Sequence, residues 1–423
     1  SRGSSRGTRS SHVIPAARSG PRRRVLVVLV VAALLLIAGA VAARGALWYQ
    51  TTDFFCFYNG ARSLVLAHDP YDLAWWATLT GGLYPDPWRG PSPSSCPTQY
   101  GYPLWTGMLM LPLGLLPVEA AAVLWMAISI GGVVLGAWAL WHAYGGARPS
   151  AALFTALIVT SQPLWILLIS GQMSGVMLGL LGMLALSLAR GRQMRAGAAL
   201  ALLAIKPQIV VLTLPVTLLR LAIERRQRAV AATIGVGVLL LMIPMVLLPA
   251  WPVEWLVDVG RRRLQVVTLL PTAWGFAADL FGNALWGVPL AAALIAVCAA
   301  LMARRMDTLS LLALLTSLSL VVTPYAWSYD FLVLACPWAF VLGRVARTRG
   351  APALALRLGL VAVASILPWL LYAVAFGRGG ETLSMIVPAA TALLVAAATR
   401  MSVTTAGKGY TVSPLPSTRV PTL

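Results

Sequence analysis

The chain has 423 residues, of which 59% are hydrophobic and only 10% charged. A soluble domain carries about a quarter charged residues, so a globular core surrounded by water is excluded and lipid must solvate most of this chain. The net charge of +20 does not indicate nucleic acid, because the arginines fall between apolar runs and form no basic face or stripe; such spacing is the ordinary mark of membrane topology.

Residues 1–24 form a Ser/Arg/Gly-rich tail that reads as disordered. Arg22, Arg23 and Arg24 then precede an apolar run, 25–43. The run exceeds the ~7–15-residue core of a signal peptide, so it reads as an uncleaved first span. With the N-terminus in the cytoplasm this span exits, and 44–102 form a large outer loop. Residues 103–117 are apolar but short and interrupted at Pro112. They are expected to make a re-entrant or interfacial helix on the outer side, because proline breaks helices and breaks are tolerated where they line a cavity.

Spans 118–141, 151–169 and 174–189 follow. Residues 196–219 begin after Arg190, Arg192 and Arg195 and end before Arg220, Arg225, Arg226 and Arg228. Both ends are therefore cytoplasmic, and the segment is predicted to be a hairpin of two short arms with Lys206-Pro207-Gln208 at its turn. Spans 229–249, 286–302, 309–322, 331–343, 356–376 and 383–398 complete the set, before a second disordered tail, 400–423. The expected architecture is an all-α polytopic membrane protein, about 12 transmembrane segments over residues 25–399. All arginines except Arg44, Arg62, Arg89, Arg261, Arg262, Arg263 and Arg378 then lie in the cytoplasm, which satisfies the positive-inside rule. Arg261, Arg262 and Arg263 are expected at the outer surface, where they attract anionic head groups. The acids show the opposite bias. Asp53, Asp69, Asp72, Asp86, Glu254, Asp258, Asp279, Asp330 and Glu381 fall outside, while Glu224 and Asp307 fall inside.

Signatures of soluble enzymes are missing from the sequence. His12, His68 and His142 are widely separated, and there is no Cys-x-x-Cys, P-loop, dinucleotide fingerprint or Asp-x-Asp. Asp53 sits just beyond the first span in Thr52-Asp53-Phe54-Phe55-Cys56-Phe57-Tyr58. Aromatic neighbours limit its water and favour its neutral form, which suits a general base; a helix N-cap is the plainer reading. Lys206 is one of two lysines, the other being Lys408 in the tail. An ionisable group in an apolar hairpin is costly and is a functional candidate by default. Its ammonium can meet a phosphate, or it can snorkel to the interface. Gly171-Gln172 occupies a tight outer turn. Tyr325, Trp327 and Tyr329 suit an aromatic belt, and Asp330 either joins a site or caps a helix.

These pieces together resemble the polyprenol-phosphate-mannose-dependent mannosyltransferases (glycosyltransferase family 87), a branch of the GT-C membrane glycosyltransferases. The resemblance rests on Asp53-Phe54-Phe55 through Ala61-Arg62 to Asp69-Pro70-Tyr71-Asp72, and on Tyr102-Pro103-Leu104 running to Pro112-Leu113 and Leu116-Pro117. It continues through Ser170-Gly171-Gln172 and Ala204-Ile205-Lys206-Pro207 to Thr323-Pro324-Tyr325 with Tyr329-Asp330. The family usually has two prolines after the tyrosine where this chain has Tyr102-Pro103-Leu104. Several members also carry a His in the stretch matching Trp327 to Asp330, where this chain has none.

The resemblance implies a GT-C-like bundle in a bacterial plasma membrane, with its active site facing outside. It implies transfer of a sugar, mannose by family, from a polyprenyl-phosphate donor to a glycolipid or glycan acceptor, by inverting single displacement to an α-linked product. Asp53 would be the catalytic base. Tyr58, Arg62, Tyr102, Gln172, Lys206, Gln208, Tyr325, Tyr329 and Asp330 would bind substrate, with Lys206 on the departing phosphate. No cofactor is implied, and a monophosphate leaving group paired with Lys does not require a divalent ion. The alternatives are a GT-C enzyme using a glucose or arabinose donor, and a transporter of lipid or solute without chemistry.

Cys56 and Cys96 both fall in the outer loop, in an oxidising compartment, and are expected to form a disulfide. Thiol labelling of the denatured, unreduced protein should therefore modify Cys298 and Cys336, and Cys56 and Cys96 only after reduction; labelling of either without reduction overturns the pairing.

Overall fold

A backbone in lipid has no partner but itself, so apolar runs of this length must close their hydrogen bonds within helices. The computed structural model describes residues 52–80, 100–146, 148–260, 266–302, 306–346, 348 and 350–401, and all regular structure among them is helical. The first predicted span, the N-terminal tail, the C-terminal tail from residue 402 on, Asp86, Cys96 and the Arg261, Arg262 and Arg263 cluster lie outside the described residues, while Arg400, expected in that tail, ends a helix. Cys56 is held in a disulfide, while Cys298 and Cys336 are free and buried.

The helices, in chain order, are α1 (Asp53–Val65), α2 (Leu73–Thr80), α3 (Leu104–Leu109), α4 (Leu111–Gly114), α5 (Val118–Ala143), α6 (Arg148–Thr160) and α7 (Gln162–Ser170). Then come α8 (Ser174–Ala189), α9 (Gln193–Leu202), α10 (Thr213–Ile223), α11 (Gln227–Leu247), α12 (Ala273–Phe281) and α13 (Gly287–Met302). The series ends with α14 (Thr308–Val322), α15 (Ala335–Val345), α16 (Ala351–Val361), α17 (Leu367–Arg378) and α18 (Ile386–Arg400).

Six helices among the described residues are long and apolar enough to cross a membrane, or seven if the pair α6–α7, bent by 48°, is one span. Four shorter apolar helices of 10–17 residues fall below that length. The expected total of about twelve is therefore not reached on length and composition alone. Residues 103–117 are not a span: they fold as the short helices α3 and α4, broken at Met110 ahead of Pro112. Burial ranks the long helices. Ser328–Val345 has 89% of its apolar window buried and runs through the centre, whereas Gln227–Leu247 and Ala351–Arg378, at 17% each, are peripheral.

The α9–α10 segment has both ends at the same end of α11. Thr233 in the second turn of α11 donates its hydroxyl to the Gly197 carbonyl near the start of α9, at 3.1 Å. Helix α10 stops at Ile223, a short turn before Gln227 begins α11. The chain between therefore leaves this end and comes back to it, as a hairpin broken at Lys206.

The remaining bonds sort the bundle into two ends. At one, Glu224 takes Arg220 at 2.7 Å and Arg226 at 2.8 Å, Asp307 takes Arg344 at 3.4 Å, and the Tyr144 hydroxyl donates to the Leu309 carbonyl at 3.1 Å. At the other stand Asp53, Gln172, Lys206 and Asp330. Helices α5, α8 and α14 each run from one end to the other, linking the two.

The tightest of these crossings is α5 against α8. Without a hydrophobic force between helices in lipid, close approach of small residues supplies the attraction. Here a Cβ on Gly136 would lie 2.5 Å from the Leu178 carbonyl oxygen, a main-chain atom with no freedom to yield. Gly136→Leu should cost about 1–3 kcal/mol through overpacking and lower the thermal unfolding midpoint in detergent by several degrees. An unchanged midpoint would mean that the helices do not meet there.

Candidate functional site

Proline 207 initiates the site. A residue before proline is driven away from helical backbone angles, and Lys206 adopts φ −128°, ψ 74° between the 3₁₀ turns Leu203–Ile205 and Pro207–Val210. The break strands two carbonyls, and α3 recovers them. The Trp105 indole N–H donates to the Ala204 carbonyl and the Thr106 hydroxyl to the Ile205 carbonyl, each at 2.9 Å. On the return arm, the Ser319 hydroxyl oxygen of α14 accepts from the Leu212 and Thr213 amides at 3.1 and 3.0 Å. Irregular backbone is thus held at the hairpin apex with its polar groups satisfied, as the low-dielectric interior requires.

Against this apex stands the α7–α8 turn. Gly171 ends α7 in the left-handed region at φ +66°, and a Cβ there would meet Phe54 Cβ at 2.8 Å. The Trp125 indole donates to its carbonyl at 2.7 Å. Only glycine makes this turn so close to α1, and the turn places Gln172 beside Asp53 in the first turn of that helix.

A chain of polar contacts then crosses the site. The Gln172 side-chain amide donates to the Asp53 carboxylate, and its carbonyl oxygen accepts from Lys206 Nζ at 3.2 Å. Lys206 Nζ also donates to Asp330 Oδ1 at 2.5 Å, and Ser174 at the start of α8 donates to the same oxygen at 3.0 Å. Asp330 Oδ2 accepts from the Trp327 amide at 3.3 Å. Lys206 and Asp330 are 1% and 0% exposed. A buried ammonium needs such a partner, since removing one member of a buried pair typically costs several kcal/mol. The Tyr329 ring lies under Lys206 at 4.9 Å, and its phenol is within electrostatic range of Asp53, Asp330, Tyr325 and Tyr102.

The structure therefore brings together Asp53, Gln172, Lys206, Tyr329 and Asp330, with Tyr325 joined through the Trp327 indole at 3.1 Å. Asp53 is not the cap of α1: that position belongs to Thr52, and the Asp53 carboxylate points to Gln172. Asp330 serves both readings, capping its own turn with one oxygen and holding Lys206 with the other. Two other predicted residues stand elsewhere. Arg62 donates to the Gly114 carbonyl at 3.1 Å and Tyr58 to the Leu116 carbonyl at 3.0 Å, so both pin α1 to the α4 region. The Tyr102 carbonyl takes the Tyr71 hydroxyl at 2.7 Å. Gln208 is half-buried in the 3₁₀ turn and has no hydrogen bond to the cluster among the described residues.

Glu381 was not singled out for the site by the sequence. It is half-buried and accepts the Ser328 amide at 2.8 Å, two residues from Asp330 in the chain. Burial pushes its carboxyl up to about 7, and the charge of Asp330 adds to the effect, against the hydrogen bonds from Ser328. Its signal in the sequence is slight: an acid directly after Gly379-Gly380 and before an apolar run.

A family model described as glycosyltransferase family 87 matches residues 100–324. The match includes Gln172 and Lys206 and stops short of Asp53 on one side and of Asp330 on the other. No curated protein matches the chain, and no solved structure does.

The Lys206–Asp330 pair separates stability from chemistry. Lys206→Met and Asp330→Leu alone each leave a buried charge and should destabilise by about 3–5 kcal/mol, read as a drop in thermal midpoint. The double variant should recover most of that loss while remaining inactive. A double variant as unstable as the singles would show that the charges are not paired.

Proposed function

The chain belongs to glycosyltransferase family 87, and from that membership we propose that it moves a mannosyl unit from a polyprenyl-phosphate donor to a glycolipid or glycan acceptor, by a single displacement that inverts the anomeric centre to an α-linkage. A membrane glycosyltransferase working on lipid and sugar substrates is what family and apolar helices establish; the sugar, the donor and the residue roles are the proposal. The observation that carries it is the buried chain Asp53–Gln172–Lys206–Asp330, which sets a carboxylate and an ammonium one carboxamide apart.

In this reading the acceptor hydroxyl attacks the anomeric carbon as its proton passes to Asp53. The bond from that carbon to the phosphate oxygen breaks, and polyprenyl phosphate departs with the bonding pair. Lys206 meets the charge that grows on that oxygen, which is where fixed electrostatics contribute most to rate. An ammonium has three N–H donors; Gln172 and Asp330 take two, and the third is left for a phosphate oxygen. Asp330 balances the charge of Lys206 before the donor enters, and Gln172 holds base and cation at a fixed separation, which orients the reactants in advance.

The arginines at the end of the bundle remote from this site support an inner-membrane placement with the site outside and both termini in the cytoplasm. Helices α3 and α4 then lie at the outer rim, as an interfacial or re-entrant pair that braces the Lys206 apex.

Asp53→Asn keeps an acceptor for the Gln172 amide and removes the base. It should insert and melt as wild type does yet lose sugar transfer by about 10²–10⁴-fold, the usual contribution of general-base catalysis. Transfer from radiolabelled polyprenyl-phosphate mannose to membrane acceptors reads the rate, and a variant retaining more than about a tenth of it overturns the role.

A further inference from the structure

Three departures from regular helix meet at one point away from the Asp53–Lys206 chain. The α6–α7 crossing bends by 48° at Ser161, which is extended at φ −72°, ψ 135°, with Pro163 in the first turn of α7. The centre of the bundle opens with seven residues of 3₁₀ helix, Ser328–Leu334, where runs beyond about three or four are uncommon and often mark function. The third is the loop carrying Glu381, anchored by its own amide to the Leu269 carbonyl at 2.9 Å. Gln162 Nε2 donates to the Ser328 hydroxyl oxygen at 3.0 Å, and the Ser328 amide donates to Glu381 Oε2 at 2.8 Å.

One atom of this cluster is unsatisfied. Gln162 is 0% exposed, and its Oε1 has no hydrogen-bond partner among the described residues. Buried polar atoms without partners are rare in native proteins, and each calls for an explanation. A purely structural glutamine in an apolar helix would find a second partner or be replaced by leucine. Here the helix is broken at Ser161, ahead of Pro163, and presents an amide oxygen that no described residue uses. It needs an O–H or N–H donor from a ligand, beside a serine hydroxyl and a carboxyl. A sugar hydroxyl, both donor and acceptor, fits all of these groups at once.

Building on the donor-and-base reading above, we propose that Gln162, Ser328 and Glu381 form the subsite that binds a ring hydroxyl of the donor sugar and so sets which sugar this enzyme transfers. Donor, and not acceptor, follows from position. Ser328 is two residues from Asp330, which holds Lys206, and Asp53 stands at the far end of the same chain of contacts. The acceptor hydroxyl is at Asp53; the sugar whose phosphate meets Lys206 is the group within reach of Ser328. The Glu381 carboxyl, pushed up to about 7 by burial, is present in both protonation states near neutrality and can accept from a hydroxyl or donate to one. A site built around a hydroxyl rejects the analogue lacking it strongly, because its own buried groups are then left unpaired.

The test uses the full chain in lipid nanodiscs, with whichever of polyprenyl-phosphate mannose, glucose or arabinose the wild type transfers, and with that donor's monodeoxy series. Gln162→Leu and Glu381→Gln, both close in shape to the native residues, should each lower kcat/KM for the intact donor by about 10–100-fold, with the acceptor KM within about twofold of wild type. With one particular deoxy donor the same substitutions should cost less than about twofold, because the hydroxyl they served is already gone. Equal penalties across the whole deoxy series would reduce the cluster to a packing role and overturn the inference; so would a penalty cancelled by a deoxy acceptor instead. A wild-type protein that transfers from none of these donors would overturn the donor reading itself, a separate and recognisable result.

Discussion

A lysine ammonium with 1% of its surface exposed, inside a bundle of apolar helices, is the constraint on which the site end of this protein depends. Charge in such surroundings is tolerated only when paired and hydrogen-bonded. Lys206 has Asp330 for its charge and Gln172 for a second hydrogen bond. Each partner then needs its own support. Asp330 is steadied by Ser174 and by the Trp327 amide, and Gln172 is aimed by the left-handed turn at Gly171. Even the break that positions Lys206 depends on α3, whose Trp105 and Thr106 take up the stranded carbonyls. A single buried charge thereby recruits the hairpin, the α7–α8 turn, the short helices α3 and α4 and the centre of the bundle.

Regular and irregular backbone are divided accordingly. The crossing of α5 and α8 is unbroken helix on helix, close enough that carbonyls sit where a Cβ would stand. It serves as a stiff frame. The site end concentrates what lipid forbids elsewhere: 3₁₀ turns, a left-handed glycine, a bent crossing and two broken helices. Such segments persist in a membrane protein only where they are buried in protein or line a cavity, and each one here has side chains from another element satisfying it. Precision in the site is borrowed from the frame, because Gln172 and Ser174 sit at the top of α8 and move only if that helix moves.

Pairing of Lys206 with Asp330 before substrate arrives has a chemical use. An unpaired lysine held ready for phosphate would destabilise the empty protein, whereas the Lys206–Asp330 pair carries no net charge and stays folded. In the reaction proposed above, the pair would hold the donor phosphate's position in advance, so that little reorganisation is needed as negative charge develops on the leaving oxygen. Gln172 makes the Asp53 carboxylate and the Lys206 ammonium a single unit, since a shift of its amide moves both contacts together.

Much of this was legible in the sequence, and the reason is energetic. Apolar run lengths define helices because lipid offers no alternative hydrogen bonds, and arginine placement sorts the loops. The hairpin at Lys206 followed from arginines at both of its ends, and a lone lysine in apolar sequence stood out because its burial is so costly. Asp53, Gln172 and Asp330 were visible as polar residues at turns, and the resemblance of their surrounding motifs to a known family singled them out. What the sequence could not show was who meets whom. Arg62 and Tyr58, as conspicuous as Asp53 in the linear chain, turn to the carbonyls of Gly114 and Leu116 and leave the site. Gln162 and Glu381 looked like ordinary loop or helix residues, and only the bend at Ser161 and the long 3₁₀ turn bring them to Ser328. Hydropathy and charge act through the solvent and can be read residue by residue, whereas a hydrogen-bond partner a hundred positions away is chosen by packing, which exists only once the chain has folded.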